Sequence, residues 1–394
     1  MTLNDVKEWL YGCTHCGTCK DVQGIFTPSC PAGEMFQLES YFPSGQIFIA
    51  KAISEGMMSL ADDELRERIY ACTGCLSCQQ QCQVYHHNHI FEIVKALRAD
   101  AVTQGYLNPG YMVLVESLRR EDNPLGKPKA ERGDWAEGLD VKSASQGGVD
   151  VIYHAGCLLS FELELREVPR SVIKILKAAG VNVGIMGKEE NCCGGRPYEI
   201  GYLGEFTKYA EHNIQTFNTA GAGTVVTSCS DGYAAFKNLY PEAGIAMKFE
   251  VKHVTEYLDQ LIKEGKLKLT EKVPLKVTYH DPCHLGRHMG EDGVYDAPRD
   301  VLKAVPGLEL VEMPRSRENS WCCGAGGGVS QSDPDYSLWT ANERLKEALE
   351  TGATAIVTAC PWCEKNFKDA VAEYGLDIEV YDIAEIVAKA IKDT

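Results

Sequence analysis

Seventeen cysteines stand in this chain of 394 residues, and all of them fall into short clusters or matched repeat positions. Near the amino terminus, two groups each have three cysteines at two-residue intervals and a fourth further along. These eight are Cys13, Cys16, Cys19 and Cys30, then Cys72, Cys75, Cys78 and Cys82. Three thiolates at this spacing can wrap one short loop around a cubane, because each reaches a different iron. The spacing therefore predicts two [4Fe-4S] cubane clusters.

The fourth cysteine of each group is expected to serve the other cluster, as in two-cluster ferredoxins. Cys82 would then complete the set of Cys13, Cys16 and Cys19. Likewise, Cys30 would complete the set of Cys72, Cys75 and Cys78. This crossing would hold residues 1–100 together as one unit. Ten residues separate Cys19 from Cys30, where the common pattern has three, and the glycines and proline between them indicate a loop.

Disulfides and zinc are the alternative uses of these thiols. The first ten residues carry Asp5, Lys7 and Glu8, so no apolar signal peptide is predicted and a reducing compartment is expected. Zinc binds C-x2-C pairs well and stays the alternative. Three evenly spaced thiols with a remote Cys-Pro fit iron–sulfur chemistry better.

From about residue 150 the chain repeats itself. The matched segments are VIYHAGC and VTYHDPC, ending at Cys157 and Cys283; CCGG and CCGA, beginning at Cys192 and Cys322; and TVVTSC and AIVTAC, ending at Cys229 and Cys360. The intervals between matches drift by only a few residues. We therefore predict sister domains at residues 150–270 and 271–394.

Each repeat alternates short apolar runs with helical patterns. In the first repeat, strands are predicted at 151–153, 181–185 and 224–227, with helices at 165–179 and 202–217. This order predicts a parallel sheet with helices on its faces, and ligands of such sheets collect beyond the carboxyl ends of the strands. The predicted fold is an α/β two-fold repeat preceded by a mainly α-helical, ferredoxin-like domain at residues 1–120. Residues 121–149, rich in glycine and charge, are predicted to be a linker.

The cysteine pattern of the second repeat resembles the cysteine-rich "CCG" domain of heterodisulfide reductases. Its five positions are supplied by Cys283, Cys322, Cys323, Cys360 and Cys363. The whole layout is similar to the D-type subunit of heterodisulfide reductase and to the C-type subunit of anaerobic glycerol-3-phosphate dehydrogenase. The resemblance implies a non-cubane [4Fe-4S] cluster held by these five thiolates, with one of them bridging.

The first repeat lacks one of the five cysteines, because Gly232 stands where the second repeat has Cys363. The remaining cysteines are Cys157, Cys192, Cys193 and Cys229. Four thiolates at one edge suit a tetrahedral zinc site. The alternatives for this repeat are a further iron–sulfur cluster or no bound metal.

The resemblance implies that the second repeat reduces a disulfide with electrons from the two cubanes. His284 and His288 follow Cys283 closely and could deliver a proton, or could instead bind a loop carbonyl. Arg287 could hold an acidic group of a substrate or balance the charge of the cluster, and His280 is predicted to be structural. Backbone packed against the cluster is predicted at Gly324, Gly326, Gly327 and Gly328.

A second function stays open, in which the chain only relays electrons between a dehydrogenase or acyl-CoA-reducing enzyme and a quinone, ferredoxin or flavoprotein. A net charge of −17 argues against nucleic acid as a partner. No apolar run is long enough to span a membrane. We expect a cytoplasmic protein, peripheral to the inner membrane face where a membrane cytochrome is the partner. His86, His87 and His89 are predicted to lie in a solvated loop, with metal ligation as the alternative.

Overall fold

The protein is described by a computed structural model that covers residues 1–84 and 89–392. The predicted His86 and His87 lie outside the described residues. Helices dominate the front of the chain, and the strands described there form one small hairpin. The helices are α1 Pro31–Phe36, α2 Pro43–Ser54, α3 Asp63–Tyr70, α4 Ser77–Gln81, α5 Ile90–Thr103 and α6 Pro109–Glu121; the strands are β1 Asp21–Val22 and β2 Thr27–Pro28.

Local sequence signals account for the front helices. Asp62 accepts the Leu65 amide at 3.3 Å and caps α3, while Asn108 accepts the Gly110 amide at 2.9 Å and caps α6. The predicted loop between Cys19 and Cys30 is the antiparallel hairpin of β1 and β2. It separates Cys30 from the rest of its sequence group.

The first repeat is built on a five-stranded parallel sheet with the order β3-β5-β4-β6-β7. Its strands are β3 Lys142–Ser143, β4 Val151–His154, β5 Val183–Ile185, β6 Thr224–Thr227 and β7 Glu250–His253. Its helices are α7 Cys157–Phe161, α8 Glu167–Ala178, α9 Gly195–Glu199, α10 Leu203–Ala220, α11 Ser230–Ala234 and α12 Val254–Lys263. The buried, β-branched strands are typical of a sheet covered on both faces.

The second repeat has a four-stranded parallel sheet with the order β11-β10-β8-β9, the same order as β7-β6-β4-β5. Its strands are β8 Lys276–Tyr279, β9 Glu309–Val311, β10 Ala355–Thr358 and β11 Glu379–Asp382. Its helices are α13 Asp296–Ala304, α14 Val329–Ser332, α15 Pro334–Glu350, α16 Pro361–Tyr374 and α17 Ile383–Lys389. The matching order confirms the predicted two-fold repeat.

The two repeats pack on each other through exchanged helix contacts. Helix α17 of the second repeat packs on α8 of the first, and α12 of the first packs on α13 of the second. One buried apolar cluster runs from Trp135 to Ile391 through both sheets. The repeats therefore share a hydrophobic core and hold their cysteine-bearing edges in a fixed relation.

The segment predicted to be a linker does more than connect. Strand β3 extends the first sheet beside β5, and Trp135 is buried in the shared core. Arg132 is fully buried and pairs with Glu190 at 3.1 Å. These contacts could not be predicted from the sequence pattern, because single side chains such as Trp135 and Arg132, rather than a regular helix with a periodic apolar face, attach the segment. Among the described residues, no helix combines the length and apolarity needed to cross a bilayer.

Candidate metal centres and the cavity beside them

Four cysteines of the front region line one small cavity. Cys13, Cys16 and Cys19 line it together with Cys82, the partner predicted by the crossed pattern. Burial first, and then the neighbouring Cys82 and Cys13, raise the pKa of Cys19 to about 11. Cys16 is the only solvent-exposed cysteine among the seventeen, all of which the structure describes, so this cavity lies at the surface of the molecule.

The second front cavity is lined by Cys72, Cys75 and Cys78 together with Cys30. Cys30 stands at the start of α1, where its Sγ accepts the Gly33 amide at 3.5 Å. The hairpin of β1 and β2 carries the chain from Cys19 to this position. The structure thus brings together both sets of four thiols that the crossed pattern predicts.

The Cys-Cys-Gly segments of the two repeats share one local geometry. Cys192 Sγ accepts the Gly194 amide at 3.4 Å, and Cys322 Sγ accepts the Gly324 amide at 3.3 Å. Both glycines are left-handed, with φ of 79° and 90°. A side chain at position 324 would also lie 2.4 Å from the Ser337 carbonyl oxygen. The glycine is needed so that the loop can turn its amide toward sulfur.

The five cysteines of the second repeat are buried and meet at the carboxyl edge of its sheet. Cys322 hydrogen-bonds Cys283 and Cys323, and Cys363 hydrogen-bonds Cys323 and Cys360. Hydrogen bonds from Cys322 and Cys363 lower the pKa of Cys323 to about 5. Five soft, closely spaced thiols fit an iron–sulfur cluster, since cysteine thiolates are its ligands. His280 also approaches this set, with a ring nitrogen and the Cys323 and Cys363 sulfurs all within 4.8 Å of one another.

The second front cavity and the five-cysteine set touch directly. The side chains of Cys75 and Cys322 pack together with Cys283 in one buried cluster. The adjoining glycine loop makes this approach possible, because added Cβ atoms at Gly326 and Gly327 would each lie 2.4 Å from a carbonyl oxygen, of Thr73 and Cys72 respectively. Two of the four glycines predicted to pack on the cluster, Gly326 and Gly327, thus pack on the loop of the neighbouring cysteine set.

In the first repeat, three of the four cysteines form a chain of contacts. Cys192 hydrogen-bonds both Cys157 and Cys193, whereas Cys229 hydrogen-bonds Cys360 of the second repeat. The hydrogen bond from Cys192, followed by the charge of Arg132, lowers the pKa of Cys157 to about 7. A Cβ at Gly232 would lie 3.6 Å from Cys229 Cβ and 3.9 Å from Cys193 Cβ. Gly232 therefore occupies the place of a fifth thiol.

His284 stands between the two repeats beside Cys283. Its Nδ1 lies 3.4 Å from Cys283 Sγ and 3.3 Å from an Asp231 oxygen, and its Nε2 lies 2.6 Å from Glu199. Burial opposes its charge, but the Asp231 and Glu199 carboxylates raise the pKa of His284 to about 9. Both carboxylates come from the first repeat. That repeat therefore supplies part of the environment of the five-cysteine set.

Family models match both parts of the chain. One described as a cysteine-rich domain matches residues 151–237 and 277–368, and one described as a 4Fe-4S dicluster domain matches residues 9–85. The D-type subunit of the dihydromethanophenazine:CoB–CoM heterodisulfide reductase of Methanosarcina mazei is 33% identical over 97% of this chain and 94% of its own length. The chain belongs to the family of heterodisulfide reductase D-type subunits.

Other relatives are longer than this chain. The EtfAB:quinone oxidoreductase of Syntrophomonas wolfei is 34% identical over 83% of the chain, which covers 47% of that protein. A crystal structure of a hypothetical protein from Helicobacter pylori aligns with a TM-score of 0.58 at 10% identity, covering 89% of this chain and 68% of the other, and shows the fold alone. The predicted family resemblance and the iron–sulfur, electron-transferring character of the chain are confirmed.

The remaining predicted site residues have different surroundings. Arg287 is buried and donates to the carbonyls of Cys75, Glu318 and Ser320, so it ties the front loop to the second repeat. His288 binds the Gly74 carbonyl at 2.7 Å and stacks on His284. Of the two roles predicted for His288, proton delivery and the binding of a loop carbonyl, the structure shows the second. His89 stacks on Trp9 at 3.7 Å.

A cavity of about 270 Å³ opens beside His284 and His288. Glu199 and Asp231 of the first repeat also line it, together with Lys95 and Tyr198. Sequence reasoning missed these four residues as well as Arg132. No spacing signal marks them, since they come from three separate parts of the chain and meet only in the folded protein.

Proposed function

We propose that this chain passes electrons from two cubane clusters to a non-cubane cluster in the second repeat, where a disulfide is reduced. The observation that carries this proposal is the cavity whose inner end is formed by His284 and His288, next to Cys283. A purely relaying cluster needs no such cavity. A reacting one needs a place where a small molecule can approach the sulfur ligands.

The cysteines would hold the clusters in the sets already described. When bound, the clusters supply electrons one at a time, and the non-cubane cluster supplies iron that binds a thiolate. The direct contact of Cys75 with Cys322 supports passage from the second front site to the second repeat. The exposure of Cys16 supports entry of electrons from a partner at the first front site.

Cleavage of a disulfide consumes two electrons and two protons and releases two thiols. His284 is placed to hold one of these protons, since its ring lies 3.4 Å from the Cys283 sulfur at the wall of the cavity. Glu199 and Asp231 fix the ring and stabilise its protonated form. The second proton would enter from solvent through the cavity.

The relay function remains the second candidate, and the similarity to EtfAB:quinone oxidoreductase favours it. In that case the partners would be other redox subunits, such as a flavoprotein, a ferredoxin or a membrane cytochrome. The same cysteine sets would hold the same clusters. The two functions differ only in whether the last cluster meets a substrate.

The test is activity of the anaerobically purified protein on a panel of disulfides with reduced viologen as electron donor. About twelve irons per chain are expected, four in each of three clusters. The substitution Cys363→Gly, which copies Gly232 of the first repeat, is expected to abolish turnover and to lower iron by up to about four per chain.

Three results would contradict the proposal. Stoichiometric zinc with only traces of iron would remove the cluster assignment. Full iron with no turnover of any disulfide would favour the relay. Unchanged turnover in Cys363→Gly would remove the second repeat from the chemistry.

A further inference from the structure

The cavity beside His284 continues outward into a second one of about 310 Å³. Lys95, Tyr198 and Glu242 are among the side chains that line both cavities, and so they stand where the two meet. Leu203 and Thr207 line only the outer cavity, whereas His284 and His288 line only the inner one. We call the two cavities together the channel.

Lys95 is the only lysine or arginine side chain along the described lining of the channel. It lies in α5 and is 8% exposed. Its Nζ is 3.5 Å from the Tyr198 hydroxyl and 3.6 Å from a Glu92 oxygen, both at the long end of polar contact. A buried ammonium has three N–H groups to satisfy, so Lys95 has donor capacity left over for a ligand. Met1 also reaches the lining, but its amino group pairs with Asp5 at 3.8 Å.

The aromatic rings around Lys95 hold the ammonium in place. Nζ lies over the Tyr198 ring at 4.7 Å and over the Phe91 ring at 5.2 Å from the ring centres. These contacts stabilise the charge without using its N–H groups in strong hydrogen bonds. The ammonium is thereby fixed at the junction and free to bind an oxygen acceptor.

The other charged groups of the channel leave Lys95 as the one lysine or arginine of its described lining. Glu199 and Asp231 are already paired with the buried Arg196, at 3.3 Å and 3.2 Å respectively, and Glu92 and Glu242 are the remaining carboxylates of the lining. A second anionic group on a substrate would therefore find no second lysine or arginine there and would lie among carboxylates.

We propose that Lys95 determines substrate class by binding one carboxylate of the substrate, so that the preferred substrate is a disulfide with a single carboxylate on one arm. This inference rests on the proposed disulfide reduction. In this arrangement, the carboxylate of the substrate arm lies at Lys95 and the sulfur of the same arm lies toward His284.

The test compares three probe disulfides with reduced methyl viologen as donor. They are neutral bis(2-hydroxyethyl) disulfide, the mixed disulfide of 3-mercaptopropionate and 2-mercaptoethanol with one carboxylate, and 3,3′-dithiodipropionate with two. We expect kcat/KM to be highest for the mixed disulfide, by about tenfold over the neutral one, which corresponds to about 1.4 kcal/mol. Lys95→Met should reduce this ratio to near one through KM, and Lys95→Arg should retain most of it. Lys208→Met, which removes an exposed lysine from α10, is the matched control.

Binding of the mixed disulfide to the oxidised protein, measured by calorimetry without a donor, keeps the two proposals separate. Roughly tenfold weaker binding in Lys95→Met, at unchanged iron content, supports the role of Lys95 even where no disulfide is turned over. Turnover with equal kcat/KM for all three probes overturns the role of Lys95 and leaves disulfide reduction standing. An equal loss for all three probes in Lys95→Met also overturns it, because the residue would then be only structural.

Discussion

His284 belongs to the second repeat, yet the first repeat supplies both of its carboxylate partners. Glu199 and Asp231 reach across the boundary and raise its pKa to about 9. The same contacts lower the pKa of Glu199, because the imidazolium favours the carboxylate over the buried neutral acid. A repeat without a fifth cysteine thus still contributes two acidic groups beside Cys283.

We expect His284→Gln to lower kcat for disulfide reduction about 100-fold, because a positioned proton donor contributes at least that much. Iron content should not change, since the imidazole is not one of the proposed ligands. His288→Gln should have a smaller effect, because that ring mainly binds the Gly74 carbonyl. Kinetics with reduced viologen as electron donor will measure kcat for both variants, and an iron assay will measure their iron content. Equal losses in the two variants would contradict a special role for His284.

At the scale of elements, the glycine loop before α14 sets how closely the second repeat approaches the front region. Gly327 has φ of +60°, and a Cβ there would lie 2.4 Å from the Cys72 carbonyl oxygen. We expect Gly327→Ala to lower the free energy of unfolding by about 1–3 kcal/mol and to slow disulfide reduction, because the loop must move away from Cys72. Urea unfolding and steady-state kinetics will test this.

Gly204→Ala is the control for that loop. Gly204 lies in α10 with no neighbour within 4 Å of an added Cβ, so alanine should cause no loss. If Gly204→Ala and Gly327→Ala changed the free energy of unfolding and the rate of disulfide reduction equally, the contact of Gly327 with Cys72 would not be the cause of the loss.

The helices that follow β7 and β11 begin with different caps. His253 accepts the Thr255 amide at the start of α12, and Asp382 accepts the Ala384 amide at the start of α17. Burial lowers the pKa of His253 to about 4. At this position the unfolded chain therefore binds more protons below about pH 6.5, so the contribution of His253 to stability falls as the pH drops from 7 toward 4.

His253→Asn keeps a capping side chain and removes this titration. Between pH 7 and 5.5 we expect the wild-type protein to lose about 1 kcal/mol more unfolding free energy than His253→Asn. Anaerobic urea unfolding at both pH values measures the difference. His212→Asn, at an exposed position in α10, should follow the wild type. The same loss in His253→Asn and wild type would contradict the assignment.

At the scale of the whole molecule, Arg98 joins all three parts of the chain. This fully buried side chain donates to Ile69, Tyr70 and Cys72 carbonyls in the front region, Glu199 in the first repeat and Gly327 in the second. It is therefore a single cross-link at the junction where the second front site, the acidic pair and the glycine loop meet.

We expect Arg98→Met to lower the free energy of unfolding by at least about 3 kcal/mol, because several buried carbonyls lose their donor. The front region should also unfold separately from the repeats. Tryptophan fluorescence and cluster absorbance, followed in urea, will show whether their transitions divide. Arg119→Met is the control, since Arg119 is exposed and pairs with Glu205 at the surface, where an ion pair contributes less than about 1 kcal/mol. A single unshifted transition in Arg98→Met would contradict this role.

Local spacing determined much of this protein. Cysteines at two-residue intervals indicate cubane loops, and matched segments ending at Cys157 and Cys283 predict two similar parallel sheets, as found. The matched segments TVVTSC and AIVTAC likewise place Cys229 and Cys360 at strand ends, because each is a short β-branched run that stops just before its cysteine. The missing fifth thiol at Gly232 is visible in the same way.

Only the tertiary structure decided which groups from distant parts of the chain meet. The contacts of Cys75 with Cys322 and of Cys229 with Cys360, the acids around His284, and the position of Lys95 in the channel all join segments far apart in sequence. The buried Arg132 was hidden in a segment that lacks periodicity. Such pairings depend on how the repeats and the front region pack, and periodicity reports which face of an element is buried but not what lies against it.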